Sequence, residues 1–270
     1  MACSTASAPA SVDGRLSLGA PDDRLRRAAA VVFVDDLDAP VCTDEDAHHL
    51  LEVLRLDPGA DVAASDGRGR FRPCRLAPAE PRRRKGRPVA AILVPSGDVV
   101  DDRPVAPPGT EPATVAFALV KGDRTEWAVQ KLTELGVDRL VPLLTARTVV
   151  RLDPDGAARR AERLRRVARE AAAQARRTTL PEVAVPTPLD RYLAGGTPDG
   201  LPPPAPGAVA LAEPGGTPLG PATRCVVVGP EGGWTVDELA LVDRRVGLGR
   251  LVLRAETAAV VAGVLLTHAR

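Results

Sequence analysis

The stretch that decides the fold is Val226-Val227-Val228-Gly229-Pro230-Glu231-Gly232-Gly233-Trp234. Three consecutive valines favour a strand that is buried on both faces, as in a parallel sheet covered by helices. The Gly-Pro-Glu-Gly-Gly segment ends that strand and leaves a backbone with few side chains, which a ligand can approach closely. The sequence thus predicts a parallel sheet with a ligand-binding loop at the carboxyl end of this strand.

A second segment of the same kind lies further along the chain, at Leu251-Val252-Leu253-Arg254-Ala255-Glu256-Thr257-Ala258. Its apolar run predicts another buried strand that ends in polar residues, and the apolar residues 258–266 predict a buried helix after it. Because the carboxyl ends of parallel strands meet at one edge of a sheet, the two segments together predict a single site.

The surrounding pattern alternates between strand and helix. Apolar runs at residues 115–120, 139–144, 209–211 and 226–228 predict strands, and helical periodicity predicts helices over 125–135 and 157–177. This alternation indicates an α/β domain with a mostly parallel sheet, which we place at residues 113–270. The proline-rich residues 195–207 predict an irregular insertion within it.

The first part of the chain has a different pattern. Residues 1–24 lack periodicity and predict a disordered tail. Short strands are predicted at 30–34, 61–65, 70–76 and 89–94, with a hairpin turn at 66–69 and one helix over about 44–56. So many short strands indicate a small β-barrel domain over residues 25–100, joined by a linker at 101–112 to the second domain.

Composition limits the classes of protein to which this chain can belong. The chain has 270 residues, of which 44% are hydrophobic, enough for two domains with substantial cores. Its net charge is only +1, so any surface for a polyanion must be local. The four cysteines lack metal-ligand spacing, and there is no apolar segment long enough to span a membrane. We therefore expect a soluble, cytoplasmic protein without a metal site.

Both segments carry a resemblance to a known family. Gly229-Pro230-Glu231-Gly232-Gly233 followed by Leu253-Arg254-Ala255-Glu256-Thr257 resembles the signature of the bacterial 16S rRNA uridine-N3 methyltransferase family, the small-subunit methyltransferase E group of the SPOUT superfamily. Similar residues occur upstream, at Lys121-Gly122-Asp123-Arg124, Glu134-Leu135-Gly136-Val137, Glu170, Gln174 and Arg177. The resemblance implies a trefoil-knotted SPOUT methyltransferase domain, an N-terminal PUA-like RNA-binding barrel and a homodimer. It also implies S-adenosylmethionine as cofactor and 16S rRNA of the small ribosomal subunit as substrate.

In this family three loops at strand ends hold the cofactor. Carried over to this sequence, the cofactor-binding residues are Leu211, Glu213, Gly229, Pro230, Glu231, Gly232, Gly233, Leu248, Gly249, Leu253 and Arg254. Backbone groups that side chains do not cover can contact an adenine edge, which is why glycines suit such a loop. Taken alone, the glycines are equally consistent with a tight turn that binds nothing.

The implied reaction needs help at the uridine base, because N3 carries a proton and is a poor nucleophile until that proton leaves. Our candidate for stabilising the negative charge is Arg254, with Glu256 either orienting Arg254 or accepting the proton. The alternative is that Arg254 and Glu256 form an ion pair that only begins the last helix.

Basic side chains mark the predicted RNA-binding surface. The candidates are Arg26, Arg27, Arg55, Arg82, Arg83, Arg84, Lys85, Lys121, Arg124 and Arg177. The predicted helix at 157–177 also carries eight arginines, which either face RNA or form an ordinary solvated surface. Since only 2% of residues are aromatic, phosphate and shape recognition should dominate over base stacking.

One departure from the family pattern keeps an alternative open. The family usually has an arginine where this chain has Leu251. The chain could therefore be a non-catalytic RNA-binding factor of ribosome assembly that retains the fold. A nucleotide hydrolase is disfavoured, because the chain has no phosphate-binding Gly-x-x-x-x-Gly-Lys-Ser/Thr loop.

Overall fold

The computed structural model describes residues 22–77, 91–103, 111–205 and 207–268. Its N-terminal part contains the elements α1 Asp23–Arg27, β1 Ala30–Phe33, α2 Asp44–His48, β2 Asp61–Ser65, β3 Arg70–Leu76, β4 Leu93–Pro95 and β5 Val100–Asp101. A π-helical segment, His49–Val53, continues α2, so the predicted helix is present in two parts. The predicted tail lies almost wholly outside the described residues, as does the basic run at 82–85.

The N-terminal strands form one five-stranded sheet in the order β1-β2-β3-β4, with β5 beside β3. β1 and β2 run parallel, and the other pairs are antiparallel. The predicted hairpin turn is confirmed, because Ser65 pairs with Phe71 across it. The linker prediction needs a correction: Asp101 pairs with Arg70 as part of β5, so the chain is still in the sheet at that position.

The second part of the chain is the predicted α/β unit. Its elements are β6 Thr114–Ala118, α3 Arg124–Glu134, β7 Arg139–Leu144, α4 Pro154–Gln174, β8 Glu182–Val183, β9 Thr187–Pro188, α5 Leu189–Gly195, β10 Val209–Thr217, β11 Cys225–Val228, α6 Val236–Ala240, β12 Arg245–Val246 and α7 Ala255–His268. The sheet is parallel throughout, in the order β12-β10-β11-β6-β7-β8, with β9 also paired to β7.

The three valines of β11 show why this strand lies at the centre. Side chains alternate across a sheet, and Val226 and Val228 pack in the core formed with α3, α4 and α7. Val227 points to the opposite face and packs with Leu189 and Tyr192 of α5. Both faces are therefore covered by helices, which is what a run of consecutive apolar residues requires.

Helix α4 begins earlier and ends earlier than predicted. Asp153 caps it by accepting a hydrogen bond from the Gly156 N–H at 2.6 Å, and Pro154 occupies the first turn, where a missing N–H is harmless. At its other end Arg176 adopts a left-handed conformation, with φ of 55°, so the helix cannot continue to residue 177.

Most arginines of α4, and Arg176 and Arg177 just after it, bind to other parts of the protein. Arg169 donates to the Phe33 carbonyl at 2.8 Å and to Asp46 at 2.9 Å, with its guanidinium 5.1 Å from the Phe33 ring centre. Arg176 donates to the carbonyls of Leu25 and Ala28. Further contacts with the protein are made by Arg160, Arg163, Arg165 and Arg177. Neither of the two alternatives left open for this helix, an RNA-facing or an ordinary solvated surface, describes all of these arginines, because most of their charges are bound within the chain.

Candidate functional site

One cavity lies at the carboxyl edge of the parallel sheet. It is enclosed by the irregular part of β10 from Ala212 onward, where the pairing with β12 shifts register and which we call the β10 loop, and by the loops that follow β11 and β12. Its lining comprises Ala212, Glu213 and Pro214 from the first loop, Gly229, Pro230, Glu231, Gly233 and Trp234 from the second, and Leu248, Gly249, Leu251, Val252 and Leu253 from the third. Val228, Ala255 and Ala258 complete it. The two segments that we singled out in the sequence thus meet, together with the β10 loop, as the edge rule for parallel sheets predicts.

Not every predicted cofactor residue lines this cavity. Leu211 is fully buried in the core beneath it, and Gly232 and Arg254 lie beside it. The cavity volume is about 190 Å³. Ligand pockets commonly measure roughly 300 to 1,000 Å³, so a ligand of nucleoside size would lie partly in the open mouth.

The β11 loop is built around a tight turn. The Gly233 N–H donates to the Pro230 carbonyl at 2.9 Å, and Gly233 has a φ of 71°, which favours glycine. Gly229 is needed for a different reason, since a Cβ there would lie 2.8 Å from the Trp234 ring. The Trp234 indole N–H donates to the Ala212 carbonyl at 3.2 Å, so this ring joins the β10 and β11 loops.

Sequence reasoning missed the residue that holds the outer side of this loop. The Arg147 guanidinium donates to the Gly232 carbonyl at 2.7 Å, from the segment that follows β7. Beyond the loop, Thr235 caps α6 in a reciprocal capping box with Glu238. The pattern Thr-x-x-Glu could have been found in the sequence, but nothing local pointed to Arg147.

The first loop has an anchor of its own. The Glu213 carboxylate, a predicted cofactor contact, lies 3.5 Å from Nε of Arg245 in β12. This ion pair links the neighbouring strands β10 and β12. The carboxylate of Glu213 therefore contributes to the shape of the site in addition to lining it.

The strand predicted at residues 251–253 is wrong. Leu251 and Val252 are 76% and 85% exposed, and they lie at the cavity in an irregular segment before α7. The edge strand is instead β12, Arg245–Val246, which pairs with β10. Since the apolar run has no neighbouring strand to pair with, it remains a loop with two unusually exposed apolar side chains.

Glu256 is buried at the start of α7 and faces Arg124. Its Oε2 atom has no hydrogen-bond partner among the described residues, and it lies 3.8 Å from Nη1 of Arg124, within ion-pair range but too far for a hydrogen bond. The same nitrogen donates to Glu231 of the β11 loop. One guanidinium from α3 is thus shared by two carboxylates, and the hydrogen bond with Glu231 raises the pKa of Arg124.

Arg254 does not form the ion pair that we considered as the alternative to a role in charge stabilisation. It is exposed and makes no ion pair with Glu256 or any other described residue. The suggested Arg254–Glu256 ion pair is therefore absent, because Glu256 turns inward to Arg124. The guanidinium of Arg254 remains open to solvent at the start of α7, beside the cavity.

The predicted RNA-binding residues fall into three groups. Arg26, Arg27, Arg55 and Lys121 are exposed. Arg124 and Arg177 are engaged within the protein, the latter donating to the carbonyls of Thr133 and Val137 at 3.1 and 2.8 Å. We correct the prediction for Arg177, because only 12% of its side chain is exposed. The run Arg82, Arg83, Arg84 and Lys85 lies outside the described residues.

In the part of the chain that the structure describes, no group of three or more His, Cys, Asp or Glu side chains could hold a metal ion. None of the described helices combines the length and the apolar character needed to cross a membrane.

Comparisons with known proteins agree with this architecture. A family model for an RNA methyltransferase domain matches residues 108–267, and one for an RNA methyltransferase PUA domain matches residues 43–83. Ribosomal RNA small subunit methyltransferase E of Mycobacterium bovis is 33% identical over 255 residues, covering 89% of this chain and 87% of that protein. The Bacillus subtilis protein of that name is 30% identical, over 52% of this chain and 51% of its own length.

Solved structures show the same likeness. A ribosomal RNA small subunit methyltransferase E from Neisseria gonorrhoeae, bound to S-adenosyl methionine, superposes with a TM-score of 0.69 at 25% identity, covering 87% of this chain and 95% of that one. A Legionella pneumophila methyltransferase shares the fold, with a TM-score of 0.70 at 24% identity over 87% of this chain and 96% of that chain. The chain combines a PUA domain with an RNA methyltransferase domain of the SPOUT type, and it therefore belongs to the ribosomal RNA small subunit methyltransferase E family.

Proposed function

We propose that this protein transfers a methyl group from S-adenosylmethionine to N3 of a uridine in 16S rRNA of the small ribosomal subunit. The observation that carries the proposal is the single cavity where the two signature segments and the β10 loop meet. The gonococcal relative, crystallised with S-adenosyl methionine, supports the choice of cofactor.

The residues present fit the cofactor. The cavity combines apolar side chains, among them Val228, Leu253 and Ala258, with a turn of open backbone from Pro230 to Gly233. Apolar walls with a few placed polar groups are typical of sites for nucleoside-containing ligands. S-adenosylmethionine, when bound, supplies a methyl group that is already activated, so the protein's task is to hold donor and acceptor in a reactive geometry.

Two side chains next to the cavity suit the acceptor base. Arg254 is unpaired and exposed, so it can approach the oxygen atoms of a uridine that is losing its N3 proton. Glu256 follows Ala255, which lines the cavity, and a carboxylate at this position is a group that can accept that proton. We assign charge stabilisation to Arg254 and proton acceptance to Glu256. Arg124 holds Glu256 in place, and this replaces our earlier option that Glu256 orients Arg254.

The RNA surface that we propose spans both domains. Arg26, Arg27 and Arg55 lie on the N-terminal domain, of which residues 43–83 match the PUA model, and Lys121 lies between β6 and α3. The run at 82–85 would add to it. Exposed cations of this kind bind phosphates without sequence preference, so the choice of uridine must depend on the shape of the assembled subunit.

We further propose a cytoplasmic homodimer with a trefoil knot in the methyltransferase domain, and the domain bounds given above with the linker beginning after Asp101. The exposed side chains of Leu251, Val252 and Val236, 76%, 85% and 82% exposed, lie in or near the loops around the cavity. Exposed apolar side chains of this size are better buried against another protein surface than left in water. A partner subunit there would also close the open mouth of the cavity.

The test uses small ribosomal subunits from a strain that lacks this methylation. Purified protein and S-adenosylmethionine should produce one methylated uridine, which mass spectrometry of digested 16S rRNA locates and identifies as N3-methylated. Calorimetry with S-adenosylmethionine alone should show binding. If the protein binds the subunit but does not bind the donor and transfers no methyl group, it is instead the non-catalytic assembly factor. The proposal would then be withdrawn.

A further inference from the structure

A groove between α3 and α4 shares no lining residue with the cavity described above. The groove has a volume of about 460 Å³ and is lined by Trp127, Gln130 and Glu126 of α3, and by Val167, Glu170 and Gln174 of α4. We propose that this groove binds one unpaired nucleobase of the RNA, stacked on Trp127, next to the uridine that enters the active site. This inference rests on the proposed function for the identity of the RNA.

The groups that line the groove are those that recognise a base. Trp127 is 43% exposed, although a large aromatic ring on a helix surface is usually packed away from water. The side chains of Gln130, Glu170 and Gln174 are exposed and make no hydrogen bond or ion pair with other described residues. Two amides can each donate and accept at the edge of a base, while an indole face stacks on any base.

The charges in the groove select a base rather than a phosphate. Its titratable side chains are all acidic: Glu126, Glu170 and Asp123. Glu126 is paired with both Arg160 and Arg163, which lie 3.1 and 2.9 Å from its carboxylate, whereas Glu170 has no ion pair. The three carboxylates and two guanidiniums leave a net negative charge, which disfavours a phosphate inside the groove relative to a neutral base.

The same charges argue against a second copy of the chain as the occupant. Protein interfaces are depleted of charged residues at their centres, and this groove has free carboxylates around a single exposed ring. The exposed apolar side chains near the cavity, Leu251, Val252 and Val236, offer a more suitable surface for self-association.

The position of the groove fits a nucleotide flanking the target. Trp127 follows Arg124 on α3 by three residues, which places it about 4.5 Å further along the helix axis. Arg124 in turn contacts Glu231 of the cavity and Glu256 of α7. An RNA strand that delivers a uridine to the cavity would therefore pass the groove within the span of a neighbouring nucleotide.

The first test is spectroscopic and needs no activity. The chain has only two tryptophans, Trp127 and Trp234, so a Trp234→Phe variant reports on Trp127 alone. A short single-stranded oligouridylate should quench this fluorescence in a saturable manner. Fluorescence that does not change at saturating oligonucleotide would overturn the proposal.

The second test is kinetic, on small subunits with the otherwise unmodified protein. Trp127→Ala should raise KM by about 5- to 150-fold, the effect expected for one lost base stack, with S-adenosylmethionine affinity unchanged. Trp127→Phe should keep most of the affinity. The factor should be the same at low and high salt, because stacking releases no counterions. Leu241→Ala, at a similarly exposed apolar residue on the surface, is the matched control.

The outcomes separate the two proposals. If wild-type protein methylates the subunit but Trp127→Ala has a normal KM, the groove does not bind a base and the proposed function stands. If Trp127→Ala becomes monomeric by light scattering, the groove is a subunit interface and the inference is wrong. If wild-type protein transfers no methyl group, the proposed function fails, while quenching of Trp127 still decides the groove.

Discussion

Replacing Gly229 by alanine should damage cofactor binding through the Trp234 ring. A Cβ at residue 229 would lie 2.8 Å from one ring atom and 3.0 Å from another, so the indole must move. That movement costs about 1 kcal/mol for the hydrogen bond to Ala212 and about 1 to 3 kcal/mol for overpacking. Because Trp234 lines the cavity, we expect about 1 to 2 kcal/mol of this cost to appear in binding, a 5- to 30-fold loss of S-adenosylmethionine affinity.

Two other glycines provide a graded comparison. A Cβ at Gly232 would lie 3.3 Å from the Arg147 side chain, which is exposed and can yield, so Gly232→Ala should reduce affinity by less than about threefold. Gly220→Ala meets no atom within 4 Å and should change nothing. Calorimetry on the three variants, with thermal unfolding to confirm folding, provides the measurement. Equal losses for Gly229→Ala and Gly220→Ala, or a normal affinity for Gly229→Ala, would refute this account of the cavity.

Three further predictions follow from contacts described above. Arg169→Ala should lower the free energy of unfolding by about 2 kcal/mol in denaturant titrations, because the variant loses the hydrogen bonds to Asp46 and to the Phe33 carbonyl and the contact with the Phe33 ring. Arg166 has no described partner, so Arg166→Ala is the control and should change the free energy of unfolding by less than about 0.5 kcal/mol. Arg124→Gln should slow single-turnover methyl transfer by at least about tenfold, and it should slow it more than Glu231→Gln does. Only the change at Arg124 leaves the buried Glu256 carboxylate without its cation. A larger effect of Glu231→Gln would contradict the role given to Arg124. Burial raises the pKa of the Cys42 thiol from 9.0 to about 11, so as the pH rises the unfolded chain loses the thiol proton before the folded chain does. The free energy of unfolding should therefore fall as the pH rises from 9 to 11. The denaturation midpoint of Cys42→Ala should depend less steeply on pH over this range.

The parts of the site that sequence could predict are those set by one general rule. Loops at the carboxyl ends of parallel strands lie at the same edge, so the meeting of the two signature segments followed from recognising β11, its turn and the apolar run that ends in polar residues. The contribution of β10 came from the family resemblance, and β12 was not predicted. The buried character of β11 and the helical pattern of α4 were equally readable, since each depends on residues close together in the chain.

What sequence could not predict depends on contacts between distant residues. Arg124 and Glu231 are separated by 107 positions, and Arg147 and Gly232 by 85, so no local pattern indicates either pair. The apolar run at 251–253 was misassigned for a related reason: a strand needs a neighbour to bond with, and the edge position beside β10 is already taken by Arg245–Val246. Likewise, the arginines of α4 are bound because carbonyls and carboxylates of other segments lie opposite them.

The bond between Arg169 and Phe33 also has a consequence for how the chain is made. The two residues are 136 positions apart, and translation at about 5 to 20 residues per second separates their emergence by about 7 to 27 s. During that delay the N-terminal sheet has only its own cores to rely on, one of them built from Leu25, Ala28, Val31, Ala63 and Phe71. Until α4 emerges, any structure that the nascent N-terminal domain holds must rest on these cores, without the contact from Arg169.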